Sequence, residues 1–505
     1  MIDPIDHAKR HHAARVAVID GPRRLSFAEL HERAARLGAG LRRLGIREGD
    51  RVAVLASNGH RYVEAFLGIP AFGMVVVPLN TRLAEPELAA ILKDAKPRVL
   101  LTDRDPGRLA FGVEHTIALT SEYEAILLET GGVPSPCRDE GAVAALFYTG
   151  GTTGKPKGVI ATHRNLVANA FHKTVACSLS PEDRFLAIAA MFHVAGVAPL
   201  VGLVWLGATT VTLPSFEPEA TLDAIEHHRI TVIMPVPTMV AALVASQRRR
   251  PRDVSSLRML GHAGSSIPNA LIEAAHETFP DAELAQFYGA TETASIVTCF
   301  RHEERAIGTP LLGSCGQAAA GVAVKIARQD GSECAPGEVG EILVRGPNVT
   351  VGYWNDPAAT AAALDGGWYR SGDLGLMRDD GYVFVVDRKK DMIITGGENV
   401  YSIEVEDVLG RHPSVVEAAV FGVPDPTWGE AVQAVVVVGE DLLPVAAAVV
   451  EELRAHCRQF VAGYKVPKHI ELQAAPLPKS GPGKVLKRAL RERFIASEGT
   501  NPGRS

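Results

Sequence analysis

Short runs of consecutive apolar residues recur through the first half of the chain: RVAVLA at 51–56, MVVVPLN at 74–80, RVLLTD at 98–103, ATTVTL at 208–213, TVIMPVP at 231–237 and SLRMLGHAGSS at 256–266. Each is short for a helix and apolar on successive positions, the pattern of a strand covered on both faces. Helical stretches separate them, so the chain predicts an α/β fold with a large N-terminal domain of mostly parallel sheets and helices. From about Ala320 the texture changes to glycine-turned pieces, VAVKIARQDGSE, GEVGEILVRG and DDGYVFVVDRKKDMIITGG. These predict an antiparallel β region closing that domain. Beyond Arg388, strands near VEAAVFGV and EAVQAVVVV, a helix near 445–460 and a basic amphipathic helix in VLKRALRERF predict a small α+β C-terminal domain. The expected division is 1–386 and 387–505.

One apolar stretch needs separate treatment. Residues 185–216 contain no Asp, Glu, Lys or Arg, which on length alone would cross a bilayer. The stretch is interrupted by His193, Gly196, Pro199, Gly202 and Gly207, ends in the β-branched run TTVTL, and lacks aromatic belts and a basic-loop asymmetry. A buried helix leading into a core strand is expected instead, and no membrane span.

Composition narrows the picture further. A chain of 505 residues, 47% hydrophobic and 22% charged, is globular and too long for one core. Its 52 Lys+Arg against 58 Asp+Glu leave a net charge of −6, which disfavours a nucleic-acid partner. The six cysteines show no CxxC spacing, which argues against a disulfide framework or zinc ribbon and for a reducing compartment. The N-terminal MIDPIDHAKRHHAAR lacks the apolar stretch of an export signal, so a cytoplasmic protein is expected. His11 and His12 are expected in an exposed terminal turn, because no other ligand completes a metal site around them.

The strongest chemical signal follows the apolar run VAALF. In YTGGTTGKPKG at 148–158, glycines let backbone N–H groups converge on an anion, the hydroxyls of Thr149, Thr152 and Thr153 add donors, and Lys155 and Lys157 supply charge. It is not a Walker A loop: Gly151 to Gly154 is too short a spacing, and Pro156 stands where the magnesium-binding hydroxyl belongs. A P-loop kinase or ATPase is therefore disfavoured. Alone, the loop would leave a flexible Gly/Thr hairpin turn as the lesser alternative.

It is one of six motifs in order: YTGGTTGKPKG (148–158), MFHVAG (191–196), FYGATE (287–292), WYRSGDLG (368–375), DRKKDMIITGGENVY (387–401) and PKSGPGKVLKRALR (478–491). This series resembles that of the adenylate-forming superfamily, which includes acyl- and aryl-CoA synthetases, and it runs over nearly the whole chain. The resemblance implies ATP, Mg²⁺ and CoA as cofactors and a mobile C-terminal domain. It implies nucleotide contacts from Thr149, Gly150, Gly151, Thr152, Thr153, Gly154, Lys155 and Lys157, and from Gly264 and Ser265. Tyr288 and Gly289 would meet the adenine, Thr291 the α-phosphate, and Glu292 the metal, a hard cation that takes oxygen ligands. Asp373 would accept from the ribose hydroxyls, with Arg388 beside it. Asp387 would be the hinge. Lys484 would be the catalytic lysine, neutralising charge as the adenylate forms. His193 would stand beside the substrate carboxylate, where no base is needed because the acid is already ionised.

For CoA, Gly396, Gly397, Trp428 and Arg82 match positions that contact it in aryl-CoA relatives. Phe192, Val194, Val197, Thr238 and Ala263 would line the acyl pocket. Lys487, Arg488, Arg491 and Arg493 read as a solvated basic face, and the run Arg248-Arg249-Arg250-Pro251-Arg252 as a solvated loop. Two departures stand out: Gly150 replaces a serine common in the family, and Gly481 and Pro482 alter the lysine loop. The implied activity is ATP-dependent ligation of a carboxylic acid to CoA, with a fatty or other hydrophobic acyl group slightly favoured over benzoate- or cinnamate-like acids. Loading of a carrier-protein pantetheine and non-catalytic nucleotide binding are the alternatives, and the oligomeric state, a homodimer included, is open.

Overall fold

A computed structural model describes residues 1–105, 111–128, 134–149, 156–264, 267–302, 308–479 and 485–499. The chain forms two compact units: Met1–Gly264 with Glu273–Val324 and Val344–Arg370, and Ser265–Ile272 with Lys325–Leu343 and Ser371–Ser505.

The first unit carries two sheets. In one, strands His115–Ala118, Val99–Thr102, Arg51–Leu55, Val75–Pro78 and Val143–Thr149 run parallel, and Lys157–Thr162 closes the edge antiparallel to the last. Val52, Ala53, Val54 and Leu55 are all fully buried, as a strand with both faces covered requires. The other sheet has nine strands, whose parallel centre includes Met259–Ala263, Val232–Ile233, Arg184–Ala187 and Thr209–Thr212. Glu283–Tyr288 runs parallel to Met259–Ala263 and antiparallel to Thr298–His302. Helix Phe27–Arg43 starts at a reciprocal cap, in which the Glu29 amide donates to Ser26 Oγ and the Ser26 amide to Glu29 Oε2.

The uncharged stretch 185–216 holds the expected buried helix Val194–Leu206 and core strand Thr209–Thr212, and it begins in a further strand, Arg184–Ala187, that the sequence reading did not include. The helix has 13 residues, so it is about 20 Å long against a bilayer core of about 30 Å. Among the described residues no helix is long and apolar enough to cross a membrane. The helix ends at Gly207, whose φ of +76° and lack of a side chain let His12 approach: a Cβ would lie 2.4 Å from His12 Cγ. This corrects the expectation of an exposed terminal turn. Ile2–His12 is a helix whose Ile2, Pro4, Ile5 and Ala8 are buried.

In the second unit, the end of Trp368–Met377 pairs antiparallel with Val383–Arg388. A further sheet is built from Glu398–Val400, Ile393–Thr395, Gly429–Val437 and Glu417–Asp425, with His469–Gln473 parallel to Gly429–Val437. Helix Ala446–Phe460 lays Val449, Leu453 and Cys457, one helical turn apart, into its core. Helix Lys487–Gly499 packs Leu490 and Phe494 on another face. Of its basic residues only Lys487 is withdrawn from solvent, 14% exposed and paired with Glu406, whereas Arg488, Arg491 and Arg493 stay 68%, 43% and 49% exposed, beside Glu492, Glu430 and Glu471. In the arginine run Arg248, Arg249 and Arg250 stay exposed, the first two at the end of helix Pro237–Arg249, and only Arg252 is withdrawn from solvent. Arg252, with its side chain 2% exposed, pairs with Glu219 and Asp223, and Arg249 also reaches Glu219. Acids contributed by other segments, invisible to a local reading of charge, decide both cases.

Candidate functional site

Strands Val143–Thr149 and Lys157–Thr162 bring Thr149 and Lys157 directly opposite each other. Residues 150–155 join them, so Gly150, Gly151, Thr152, Thr153, Gly154 and Lys155 lie outside the described residues, as do Ser265 and Lys484. The Lys157 ammonium stands 5.3 Å from the centre of the Tyr353 ring, a cation–π distance. The Tyr353 hydroxyl donates to Glu292 Oε1 at 2.9 Å. Burial, and then the charge of Glu292, hold the Tyr353 phenol protonated far above its ordinary range. A lysine, a phenol and a carboxylate thus form one line.

Glu292 is aimed by a strained turn. Strand Glu283–Tyr288 ends at Gly289, where a Cβ would lie 1.9 Å from the Ser295 carbonyl oxygen, so only glycine fits. The chain then makes the 3₁₀ turn Thr291–Thr293 and passes through left-handed backbone at Ala294 (φ +53°) and Ser295 (φ +116°). Such conformations cost about 1–3 kcal/mol each and persist only where neighbours over-determine them. Here Asn348, fully buried, donates to the carbonyls of Thr293 and Ile296 at 3.0 and 2.9 Å. The Thr350 amide donates to the Glu292 carbonyl at 2.7 Å. Asn165 holds the same segment by donating to Pro347 O and Val349 O. Asn165, Asn348, Thr350 and Tyr353 escaped the sequence reading. The piece GPNVTVGYW has no local signature, and only its polar residues in an otherwise apolar stretch could have drawn attention.

The other candidates of this unit spread over several segments. Tyr288 is half-buried and faces Thr298 across the antiparallel pair. Ala263 ends its strand opposite Phe287, and Gly264 follows at φ +95° with Val236 Cγ1 3.5 Å from where its Cβ would be. His193 precedes helix Val194–Leu206, half-buried, its ring 4.4 Å from that of Phe192. The loop before it is clamped by Asn58, which accepts from the Met191 amide and donates to Ala187 O and Ala189 O. Phe192 and Val194 are buried, and Val197 is fully enclosed in the main core. Thr238 is exposed in the first turn of helix Pro237–Arg249. Arg82 is exposed, its amide donating to Asn80 Oδ1.

In the second unit, Arg388 Nε lies 2.9 Å from Asp373 Oδ1 across a strand pair. Gly372, at φ +70°, turns the chain just before Asp373. Asp387 is 1% exposed and accepts from the Arg388 amide at 2.7 Å, from the Ser402 amide, and from Ser402 Oγ at 2.8 Å. Lys487 donates to Ser402 Oγ at 2.6 Å and pairs with Glu406 at 2.7 Å. Burial pushes Asp387 up, opposed by the charge of Lys487, and pushes Glu406 up to about 7. Ser402 and Glu406 escaped the sequence reading, and Lys487, read there as part of a solvated face, is turned onto both of them. Gly396 and Trp428 do come together: the Gly396 amide donates to Trp428 O at 2.8 Å, and a Cβ on Gly396 would meet the indole at 2.9 Å. Trp428 remains 54% exposed, beside Gly397 at φ +85°.

Comparison with known proteins extends these local arrangements to the whole chain. It is 41% identical to a feruloyl-CoA synthase of Amycolatopsis over 490 residues, 95% of this chain and 96% of that one. It is 37% identical to an indoleacetate–CoA ligase of Aromatoleum aromaticum, covering 93% of each. The solved o-succinylbenzoate-CoA synthetase of Bacillus subtilis, in complex with an acyl-adenylate intermediate, superposes with a TM-score of 0.87 at 33% identity over 97% of both chains. Residues 5–354 match the AMP-binding enzyme family, and residues 404–484 match the C-terminal domain of AMP-binding enzymes. A glycine turn aiming one carboxylate could serve many proteins; carried on a fold and sequence shared end to end with these ligases, it has one family context, and the chain belongs to the AMP-binding enzyme family.

Proposed function

We propose that the chain is an AMP-forming acid–thiol ligase acting on an aromatic carboxylic acid, its carboxyl on the ring or on a short side chain, as the feruloyl and indoleacetate names of its relatives suggest. The observation that carries this reading is the Lys157–Tyr353–Glu292 line at the mouth of the hairpin that bears the phosphate-loop motif. The feruloyl and indoleacetate ligases among its relatives move the proposed substrate away from the fatty tail that the apolar MFHVAG segment suggests, since an apolar wall accepts either.

The reaction has two steps. The substrate carboxylate attacks the α-phosphorus of ATP, forming the mixed anhydride acyl-AMP and expelling pyrophosphate. Negative charge grows on the phosphoryl oxygens, and Lys157, the loop of 150–155, Thr291 and Lys484 would answer it. Glu292, with phosphate oxygens of the nucleotide, would hold Mg²⁺, which supplies charge neutralisation; one carboxylate plus substrate oxygens is an ordinary donor set for that ion. Tyr353 fixes that carboxylate without adding a competing charge. Tyr288 would stack on the adenine, and Asp373, with Arg388, would take the ribose hydroxyls. In the second step the CoA thiol loses its proton, attacks the acyl carbonyl, and AMP departs with its electron pair. The C-terminal domain, 387–505, would turn about Asp387 between the steps, bringing Gly396, Gly397 and Trp428 to the CoA. We place the enzyme in the cytoplasm.

The test is to incubate the protein with ATP, Mg²⁺ and a panel of cinnamic, benzoic, indoleacetic and fatty acids, and to measure AMP and thioester with and without CoA. AMP formation coupled to thioester for an aryl acid is expected. Acyl-AMP that never reaches CoA would redirect the acceptor to a carrier protein, and no adenylate with any acid would overturn the reading.

A further inference from the structure

Helix His163–Ala176 is inverted for a surface helix. Its inward stripe is Leu166, Asn169, Ala170 and Lys173, all at most 4% exposed, and Cys177 just past its end is fully buried, while Phe171 and Val175 point outward at 51% and 64% exposure. An amphipathic helix ordinarily buries the apolar pair and exposes the lysine. Burying an ammonium without a counter-charge is costly, so a buried lysine is paired with an acid, neutral, or awaiting a ligand.

Lys173 has no carboxylate partner among the described residues. Its Nζ approaches the thioether of Met234 at 3.9 Å, and the titratable group acting on it is the Cys177 thiol. Burial pulls the amine down to about 8, which leaves it mostly charged at neutral pH.

The surroundings say what it could meet. One turn earlier, the fully buried Asn169 amide lies between Ala294 and Ile296; oriented to satisfy both, it donates to the Ala294 carbonyl at 3.0 Å and accepts from the Ile296 amide at 2.9 Å. These residues end the turn that carries Glu292. On the adjoining face, Ala170 and Thr174 pack against Gly202 of helix Val194–Leu206, which follows His193. Met234 lies two residues before Val236, the neighbour of Gly264. The helix therefore bridges the segments bearing the acyl-pocket candidates, and Lys173 is the cation on its inward stripe.

We infer that Lys173 is a specificity-determining residue that binds an oxygen-bearing group, phenolic or anionic, at the end of the substrate acid remote from its reacting carboxyl. The inference rests on the ligase reading for what the pocket holds, and predicts a preference rather than a rate. An ammonium sharing a buried site with an oxygen acceptor makes a charge-assisted hydrogen bond, whereas an unsubstituted ring leaves it unpaired.

The experiment uses cinnamate, 4-hydroxycinnamate and 4-carboxycinnamate, three acids differing only at the far end. Dissociation constants are measured by calorimetry with the full-length protein and its Lys173→Met and Lys173→Arg variants, each checked by thermal melting. The wild type should prefer the 4-hydroxy and 4-carboxy acids, Lys173→Met should lose that preference at least tenfold, and Lys173→Arg should keep most of it. Above pH 8 the wild-type preference for the 4-carboxy acid should weaken as the amine loses its proton. Equal preference in wild type and Lys173→Met, or no binding of any of the three, overturns the inference. Because the readout is binding, thioester formation with an unchanged preference sinks the lysine assignment and spares the ligase reading, while selective binding without thioester does the reverse.

Discussion

Glu292 and Asp387 are both carboxylates at motif positions, yet their surroundings oppose each other. Glu292 is half-buried and makes one side-chain hydrogen bond among the described residues, from the neutral Tyr353 hydroxyl. Asp387 is 1% exposed and accepts from the Arg388 amide, the Ser402 amide and Ser402 Oγ, with Lys487 one hydrogen bond further out. A carboxylate offers about four lone-pair directions. One that keeps most of them free can take a cation or a ligand donor; one that has filled them is built to hold its own backbone. The contrast suits Glu292 to chemistry and Asp387 to the geometry of the chain on either side of it.

The largest effect should come from Glu292→Gln, which keeps the shape and removes the charge. Adenylate formation should fall by about 10²- to 10³-fold, with the melting temperature within about 2 °C of wild type. A loss of stability as large as the loss of rate would break the comparison. Next is Lys487→Met, which leaves Glu406 and Asp387 without their cation. Removing one partner of a buried pair costs about 3 kcal/mol, so denaturant unfolding should show a loss of that order. Tyr353→Phe should lower adenylation about tenfold, the equivalent of about 1.4 kcal/mol for one hydrogen bond to a charged acceptor. Its cost should appear in rate more than in stability.

The smallest effect concerns pH. Glu406 has a folded-state pKa raised to about 7 from 4.5. The folded protein therefore holds the proton more tightly than the unfolded chain, and stability from this group is full below about 4.5 and is lost as pH rises to about 7. Asp387, also raised, acts in the same direction. Glu406→Gln should flatten the slope of unfolding free energy across that window; an unchanged slope would remove Glu406 as its source.

Much of this was legible in the chain itself. Strand and helix patterning anticipated the α/β architecture because burial on two faces leaves consecutive apolar residues, as at Val52 to Leu55. The uncharged run of 185–216 was readable as a buried helix leading into a core strand because glycine, proline and β-branched residues act locally, while the strand Arg184–Ala187 at its start went unread. Motif positions such as Glu292 and Asp373 were legible because each follows closely on a glycine that its own backbone calls for, Gly289 because of the Ser295 carbonyl and Gly372 at φ +70°.

What tertiary structure alone decided was pairing at a distance. Tyr353 reaches Glu292 across 61 positions, Lys487 reaches Ser402 across 85, and Asn165 holds Val349 across 184. No local pattern encodes such partners, since a hydrogen bond depends on where two backbones meet rather than on spacing along one of them. For the same reason Lys487 and Arg252 read as solvated until Glu406 and Glu219 were found beside them. Sequence determined which side chains could do chemistry; the fold decided which of them were left with a free valence to do it, because burial and neighbours set how many lone pairs and charges remain unspent.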